Sequence, residues 1–401
     1  MVKVYKPLYE LGRIVTGKTP KTEIRELWNG DIPFITPTDI NGYSTYYQLE
    51  TDRTISELGA TKQKATILPP NSVCVTCIGS TIGKSCLTKV RSITNQQINS
   101  IILNGDNDYR YVLYLVRYNL PYVQLIGGGS GSGTPIISKN KFGKFKFLVE
   151  NNLNVQHRIA SILSTYDALI ENNTKRIRLL EKMAENLYKE WFVRFRFPGH
   201  ENVEMENGLP KGWKWGKLGD IVEFLNGFAF KSQDFCIDGK FSIVTIKNVQ
   251  TEGFDGSNTD KIEEIPSRMP KHCLLKDGDV LLSLTGNIGR VCRVLGNGYL
   301  LNQRVAKLKS ISPLFCYCTF KSDYVYQSLN VISYGTAQLN LSPVKATKIK
   351  LFVPPNEQVN RFERTVEPLF MEIDDLTKQN TLLARQRDLL LPRLMSGKLE
   401  V

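Results

Sequence analysis

The chain has 401 residues, 41% of them hydrophobic, and a net charge of +13. That length predicts two to three domains, each able to bury its own core. No apolar run approaches the roughly 18 residues of a membrane span, and residues 1–7 lack the apolar core of a signal peptide, so a cytoplasmic protein with no membrane partner is expected.

Residues 1–150 read as a mixed α/β domain. Ile32-Pro33-Phe34-Ile35-Thr36 and Val73-Cys74-Val75-Thr76-Cys77-Ile78 are strand-like, with Asn71-Ser72 and Gly79-Ser80 as turns around the second. Tyr111-Val112-Leu113-Tyr114-Leu115-Val116 has helical spacing, and 127–133 is a Gly/Ser loop. Residues 151–198 form a helical segment that Phe197-Pro198-Gly199 ends, and 200–210 read as a polar linker. A second mixed α/β domain occupies 199–353, with strands at Ile243-Val244-Thr245-Ile246 and Val280-Leu281-Leu282-Ser283-Leu284. Val353-Pro354-Pro355-Asn356-Glu357 then stops the strand and caps a second helical segment over 354–401.

The second half repeats the first. Leu11-Gly12-Arg13-Ile14-Val15 returns as Leu218-Gly219-Asp220-Ile221-Val222, and Gly79-Ser80-Thr81-Ile82-Gly83-Lys84 returns one residue shorter as Gly286-Asn287-Ile288-Gly289-Arg290. Asn95-Gln96-Gln97-Ile98 matches Asn302-Gln303-Arg304-Val305, Gly133-Thr134 matches Gly335-Thr336, and Lys146-Phe147-Leu148-Val149 matches Lys350-Leu351-Phe352-Val353. A period of about 200 residues is too long for a solenoid. It describes two copies of one unit, each a domain followed by a helix, and a partner that is itself two-part.

Both helical segments carry a strict heptad ladder. The first runs through Ile159, Leu163, Tyr166, Ile170, Asn173, Ile177, Leu180, Ala184, Leu187 and Trp191; the second through Phe362, Val366, Leu369, Ile373, Leu376, Asn380, Leu383, Arg387, Leu390 and Leu394. Paired antiparallel, all ten steps stay in register. Asn173 then falls opposite Asn380, where a buried amide pair fixes register, and Tyr166 falls opposite Arg387, where a cation meets a ring. Two amphipathic helices packed on their own domains are the plainer alternative. Pro368 is expected to kink or start the second helix and Pro392 to end or bend it.

The sequence shows no GxxxxGK[ST] phosphate loop and no Ser/His/Asp or paired-carboxylate arrangement. A nucleotide site on the glycines of 127–133 is disfavoured because no long helix follows them. Cys74-Val75-Thr76-Cys77 resembles a metal or redox pair, but aligning Val73 with Val280 sets Cys74 against Leu281 and Cys77 against Leu284. Buried, reduced thiols are the better reading, and no metal is expected.

Most of the positive charge falls in the two domains, and a basic globular surface points to a polyanion. Ser80, Thr81 and Lys84, with Asn287 and Arg290, occupy repeat-equivalent turns whose small polar groups and cation suit phosphates or base edges. Gln97 and Arg304 are an aligned pair of candidate base readers, and Lys247 is a further candidate DNA contact. Lys139, Lys141, Lys144 and Lys146, like Lys345, Lys348 and Lys350, are expected to form strands with one basic face. The bland alternatives, tight turns and solvated lysines, stay open.

The order domain–helix–domain–helix resembles the specificity (S) subunit of type I restriction–modification systems. The same holds for Leu209-Pro210-Lys211-Gly212-Trp213 leading into Leu218-Gly219-Asp220-Ile221, for Glu190-Trp191-Phe192-Val193-Arg194-Phe195-Arg196-Phe197-Pro198-Gly199, and for Leu389-Leu390-Leu391-Pro392-Arg393-Leu394-Met395-Ser396-Gly397. The resemblance covers nearly the whole chain. It implies two target-recognition domains, each reading half of a bipartite double-stranded DNA site, joined by helical spacers that dock two methyltransferase (M) subunits. It further implies a non-catalytic chain, with restriction (R) subunits in the full complex. S-adenosylmethionine, ATP and Mg would serve the partners and not this chain. A ladder from 159 to 191 is roughly 48 Å long, compatible with readers one DNA turn, about 34–36 Å, apart. A self-contained methyltransferase or nuclease, or a coiled-coil scaffold with no DNA role, remain as alternatives. The first helix lacks the Pro-Pro that precedes the second, which leaves its start less sharply marked.

Overall fold

The structure, a computed structural model, describes residues 3–40, 46–48, 50–128, 135–257, 259–333 and 340–401. Most of the Gly/Ser stretch 127–133, and the pairs Gly133-Thr134 and Gly335-Thr336, lie outside them. The chain divides into two compact units: Met1–Lys175 with Leu376–Val401, and Arg176–Asp375.

In the first unit a five-stranded sheet has the order Gly12–Thr16, Ile98–Leu103, Val73–Thr76, Ser85–Thr88, Tyr47–Gln48, antiparallel except for its last pair. A three-stranded sheet sets Trp28–Ile35 between Thr54–Ile55 and, in parallel, Ile93–Thr94. Lys3–Pro7 pairs antiparallel with Lys146–Glu150. The second unit repeats this plan. Glu223–Asn226, Val305–Lys309, Val280–Ser283 and Val291–Arg293 make an antiparallel sheet. Phe241–Val244 lies between Asp260–Ile262 and, in parallel, Tyr299–Leu301, and Lys214–Lys217 pairs with Lys350–Val353. The mixed α/β fold and the internal repeat are therefore properties of the structure as well as the sequence.

The central strands are buried at every position because both of their faces are covered, and all but the last residue of each, Thr76 and Ser283, are apolar. Val73 and Val75 pack under the helix Tyr109–Tyr118, while Cys74 joins Cys86 and Ile98 on the other face. In the second unit Val280 and Leu282 pack toward the helix Pro313–Lys321, and Leu281 and Cys292 face away. Cys74 and Cys77 are core residues, as their alignment with leucines requires, and burial pushes the Cys77 thiol up to about 11.

The first long helix runs Leu153–Tyr188 and continues as a π-helical turn, Lys189–Val193. The second runs Asn356–Ser396 without a break. Pro368 thus does not start the helix and Pro392 does not end it; of the two expectations for each proline, only a kink or bend within the helix is compatible with this span. Val366 and Phe370 flank the first proline and Leu394 and Met395 follow the second; all four are buried, and this packing overrides the lost backbone hydrogen bonds.

Within each unit the helical segments pack as antiparallel partners. In the first, Ile159 and Leu163 share a core with Leu390 and Leu394; in the second, Ala184 and Leu180 share one with Phe362, Leu369 and Ile373. Two details of the register differ from the sequence reading. The amides of Asn173 and Asn380 bond crosswise: Asn173 donates to Gln379 at 3.4 Å, and Asn380 to Thr174 at 3.4 Å. Arg387 does not take the ring of Tyr166 as partner. It pairs with Asp167, one residue further along, whose other oxygen accepts from the Tyr114 hydroxyl and lies 3.5 Å from Arg117. Asp167 and Arg387 are both buried, and a charge taken out of water is held by the nearest opposite charge rather than by a ring face.

Candidate nucleic-acid interface

One end of the main sheet carries the same construction in both units. The strand Val73–Thr76 runs into the turn 79–83, and Val280–Ser283 into the turn 286–289. Gly79 and Gly83 have φ of 64° and 91°, and Gly286 and Gly289 of 69° and 83°. These left-handed conformations are why glycine stands at both ends of each turn. The chain that returns past this turn is fixed by equivalent bonds. The amide of Cys77 donates to the carbonyl of Gln97 at 2.8 Å, and that of Leu284 to the carbonyl of Arg304 at 3.0 Å. Asn95 Oδ1 accepts from the Gln97 amide at 3.0 Å, and Asn302 Oδ1 from the Arg304 amide at 3.4 Å. Gln97 and Arg304 therefore occupy one backbone site with different side chains.

Two further loops join this end. Thr36 donates its amide to Asp39 at 2.7 Å, and Thr245 to Asn248 at 2.8 Å, closing equivalent turns after the strands Trp28–Ile35 and Phe241–Val244. Gly17 and Gly227 lie directly against the returning chain: a Cβ on either would stand 2.1 Å from a carbonyl oxygen, of Thr94 or of Asn302. Sequence reasoning missed these two glycines. The available signal was a glycine immediately after the first main-sheet strand in both repeats.

The structure gathers Ser80, Thr81, Lys84 and Gln97 around the turn of the first unit, but not all of their side chains are free. Thr81 donates its hydroxyl to Ile78 at 2.9 Å, and Gln97 accepts from Asn95 Nδ2 at 3.2 Å. Ser80 is exposed and Lys84 is half-buried. Neighbouring Gln96, which sequence reasoning passed over, is exposed and accepts from Thr19 at 2.6 Å. In the second unit Lys247, Asn287 and Arg304 are exposed. Lys247 and Arg304 line one recess of about 500 Å³ together with Gln303 and Asp260. Arg304 also borders a second recess of about 500 Å³ beside Gly286 and Asn340. Arg290 turns inward to Gln250 at 3.0 Å and braces the turn instead of facing outward. The helix residues Asn173, Asn380, Tyr166 and Arg387 take no part in either turn.

The lysine-rich stretches are not continuous strands. Lys139–Gly143 and Pro343–Ala346 are short helices, each capped by a serine hydroxyl, and the strands begin only at Lys146 and Lys350. Ser138 and Ser342 each accept an amide hydrogen from a lysine three residues on, and so favour a helical start over an extended chain. Among the described residues no group of His, Cys, Asp and Glu is placed to hold a metal ion, and no helix is long and apolar enough to cross a membrane.

Comparison with known proteins agrees with this repeated architecture. The family described as the type I restriction modification DNA specificity domain matches twice, over residues 3–182 and 210–380. The chain belongs to that family. It is 29% identical to the type I restriction enzyme MjaIX specificity subunit of Methanocaldococcus jannaschii, covering 99% of this chain and 93% of that one. It is 24% identical to the MjaVIII specificity subunit of the same organism, over 97% and 91%. The crystal structure of a type I restriction–modification S subunit from M. genitalium shares the fold, with a TM-score of 0.58 at 18% identity, covering 98% of this chain and 96% of that one.

Proposed function

We propose that this chain is the DNA-recognition subunit of a cytoplasmic type I restriction–modification complex and is itself non-catalytic. Residues 1–150 and 199–353 each read one half of a bipartite site, and the helical segments 151–198 and 354–401 set the gap and dock two methyltransferase subunits. Methylation with S-adenosylmethionine, and cleavage driven by ATP and Mg, belong to the methyltransferase and restriction partners. The observation that carries this reading is the repeated sheet end. One backbone framework presents different polar side chains in its two copies, Gln97 and Ser80 in one and Arg304 and Asn287 in the other. A constant frame with interchangeable side chains is what two readers of different sequences need.

The test is to sequence the methylated positions in cells that express this chain with its methyltransferase partner. The expected result is a two-part motif. Exchanging residues 1–150 for the matching domain of another specificity subunit should change one half of the motif only. A simultaneous change in both halves would refute the assignment of one domain to one half-site. Binding of the partnered complex should also fall roughly 10³–10⁵-fold between 50 and 200 mM salt, as expected for about 6–10 phosphate contacts.

A further inference from the structure

We propose that Arg304 is a specificity-determining residue that reads a guanine, so that the half-site recognised by the second domain contains a guanine whose selection depends on it. This rests on the DNA-recognition reading above and goes further by naming the base and the side chain.

The position of Arg304 is fixed from both sides of its peptide. Its carbonyl accepts from the Leu284 amide at 3.0 Å and its amide donates to Asn302 Oδ1 at 3.4 Å. Its side chain is exposed and, among the described residues, its guanidinium has no protein acceptor. Of the cations at this end of the sheet, Arg290 is engaged with Gln250 at 3.0 Å, while Lys247 is exposed and lines one recess with Arg304. Of these, only Arg304 and Arg290 carry a guanidinium, and Arg290 is turned inward. Arg304 thus presents a free donor fork from a rigid backbone site, between two recesses large enough to admit a base edge.

The surroundings favour a base over a phosphate. Asp260 lines the same recess as Arg304 and Lys247. Its carboxylate offsets one of the two positive charges and makes the recess less attractive to a phosphate than its basic residues alone would, while a neutral base edge stays acceptable. Among base edges, guanine offers O6 and N7 as two adjacent acceptors in the major groove, which match the parallel N–H donors of a guanidinium. The equivalent residue of the first domain, Gln97, is half-buried and has its carboxamide oxygen engaged by Asn95. The first domain therefore has no comparable fork at this site, and the guanine requirement is confined to one half of the motif.

The experiment uses the chain in complex with its methyltransferase partner and a randomised duplex library, with wild type, Arg304→Gln and Arg304→Lys compared. The wild-type motif should contain a guanine in the half that changes when residues 199–353 are exchanged. Both variants should lose selection at that single position, with affinity for the wild-type site falling about ten- to a hundredfold and other positions unchanged. Arg304→Lys is informative because it keeps the charge and loses the fork. Equal weakening on all sequences, with Arg304→Lys restoring it, would identify a phosphate contact and overturn the proposal. An unchanged motif in Arg304→Gln would overturn it as well. A wild-type complex with no sequence preference would instead remove the DNA-recognition reading on which the proposal stands. Unfolding midpoints matching wild type would exclude misfolding as the cause.

Discussion

In the first unit, Tyr114 on the helix Tyr109–Tyr118 donates a hydrogen bond from its hydroxyl to Asp167 on the long helix. In the second, Tyr317 at the equivalent place meets Phe370 ring to ring, with centroids 5.5 Å apart and planes at 90°. The repeat aligns Asp167 with Phe370, Arg387 with Ala184, and Arg117 with Phe320. One backbone arrangement is thus held by a buried ionic network in one copy and by aromatic packing in the other. The aromatic copy continues through Tyr188, Phe192, Phe315 and Phe362, whose ring centroids lie 4.8–6.3 Å apart. The difference shows that the shape of the joint is conserved within the chain while its chemistry is not. Aromatic packing draws on apolar burial and offset ring contacts. The ionic network must first offset the desolvation of three charged groups, so its stability depends on every partner being present.

That dependence is the sharpest way to separate the two joints. Asp167→Ala removes the buried carboxylate that Arg117 and Arg387 share, leaving Arg387 with the exposed Asp388 at 2.8 Å and Arg117 with the carbonyl of Ser85 at 3.2 Å. Removing one partner of a buried ion pair costs about 3–5 kcal/mol, and urea unfolding of the full chain should show a loss of that size. Transplanting the second joint into the first, with Asp167→Phe, Arg387→Ala and Arg117→Phe together, should cost less than Asp167→Ala alone. No charge is then left buried, and Tyr114 keeps the role that Tyr317 already plays. A transplant more damaging than the single change would mean that the surrounding shells, and not these three positions, determine the chemistry of each joint.

Much of the joint was legible in the sequence, and the part that was not has a clear physical reason. The heptad ladders and their antiparallel register follow from apolar spacing alone, because burial selects residues three and four apart. Asp167 was missed because a ladder reading follows one stripe, and Asp167 stands one residue beside it at Tyr166. A buried charge is justified by partners from distant parts of the chain, here Tyr114, Arg117 and Arg387, and spacing cannot reveal them. At the sheet end, the glycine turns and the pairing of Gln97 with Arg304 were visible through the repeat. The inward turn of Arg290 toward Gln250 was not, because side-chain direction in a turn depends on the neighbouring loop. The lysine stretches were misread for a local reason: alternation suggested strands, whereas Ser138 and Ser342 cap helical turns.

A smaller effect tests the amides of the first unit. The repeat places Ile177 and Leu376 at the steps equivalent to Asn380 and Asn173, so an apolar side chain is compatible with this helix geometry. Asn380 leaves its Oδ1 buried and without a hydrogen-bond partner among the described residues, while Thr174, which it donates to, also bonds Ile170 at 2.7 Å. Asn380→Leu should therefore stabilise the chain by about 1 kcal/mol, since it removes an unsatisfied buried acceptor and orphans nothing. Asn173→Leu should not bring the same gain, because it leaves the Asn380 carbonyl as it was. Thermal unfolding of the two single variants and the double variant separates these effects; equal gains from both single changes would contradict the crosswise arrangement.

The smallest predicted difference concerns the carboxylates that cap the two equivalent helices. Asp108 caps Tyr109–Tyr118 from its own loop, accepting from the amides of Arg110 and Tyr111 and from the side chains of Arg110 and His157. Ser312, before Pro313–Lys321, makes no side-chain cap; Glu363 reaches over from the long helix and accepts from the amides of Leu314 and Phe315 at 2.9 and 2.8 Å. Burial opposes the charge on Asp108, but the bonds from Arg110, His157 and Tyr111 outweigh it and hold the carboxyl below its ordinary value. Burial prevails over the amide bonds at Glu363 and raises its carboxyl. The signs of linkage are therefore opposite. The stability that ionised Asp108 contributes is present above its unfolded value, near 4, and is lost as pH falls through the lower folded value. Glu363 favours the folded chain more when protonated, so its contribution declines as pH rises from its unfolded value, also near 4, through the higher folded one. Asp108→Asn should cost about 1 kcal/mol at neutral pH, a typical capping value, and the deficit should shrink below about pH 4. Glu363→Gln should cost less at neutral pH, and its deficit relative to wild type should widen as pH is lowered from 7 toward about 4.5, just above the unfolded value. Chemical unfolding of the two variants and wild type across this range reads both slopes. Slopes of the same sign would show that the two caps do not differ in the way their burial and bonding require.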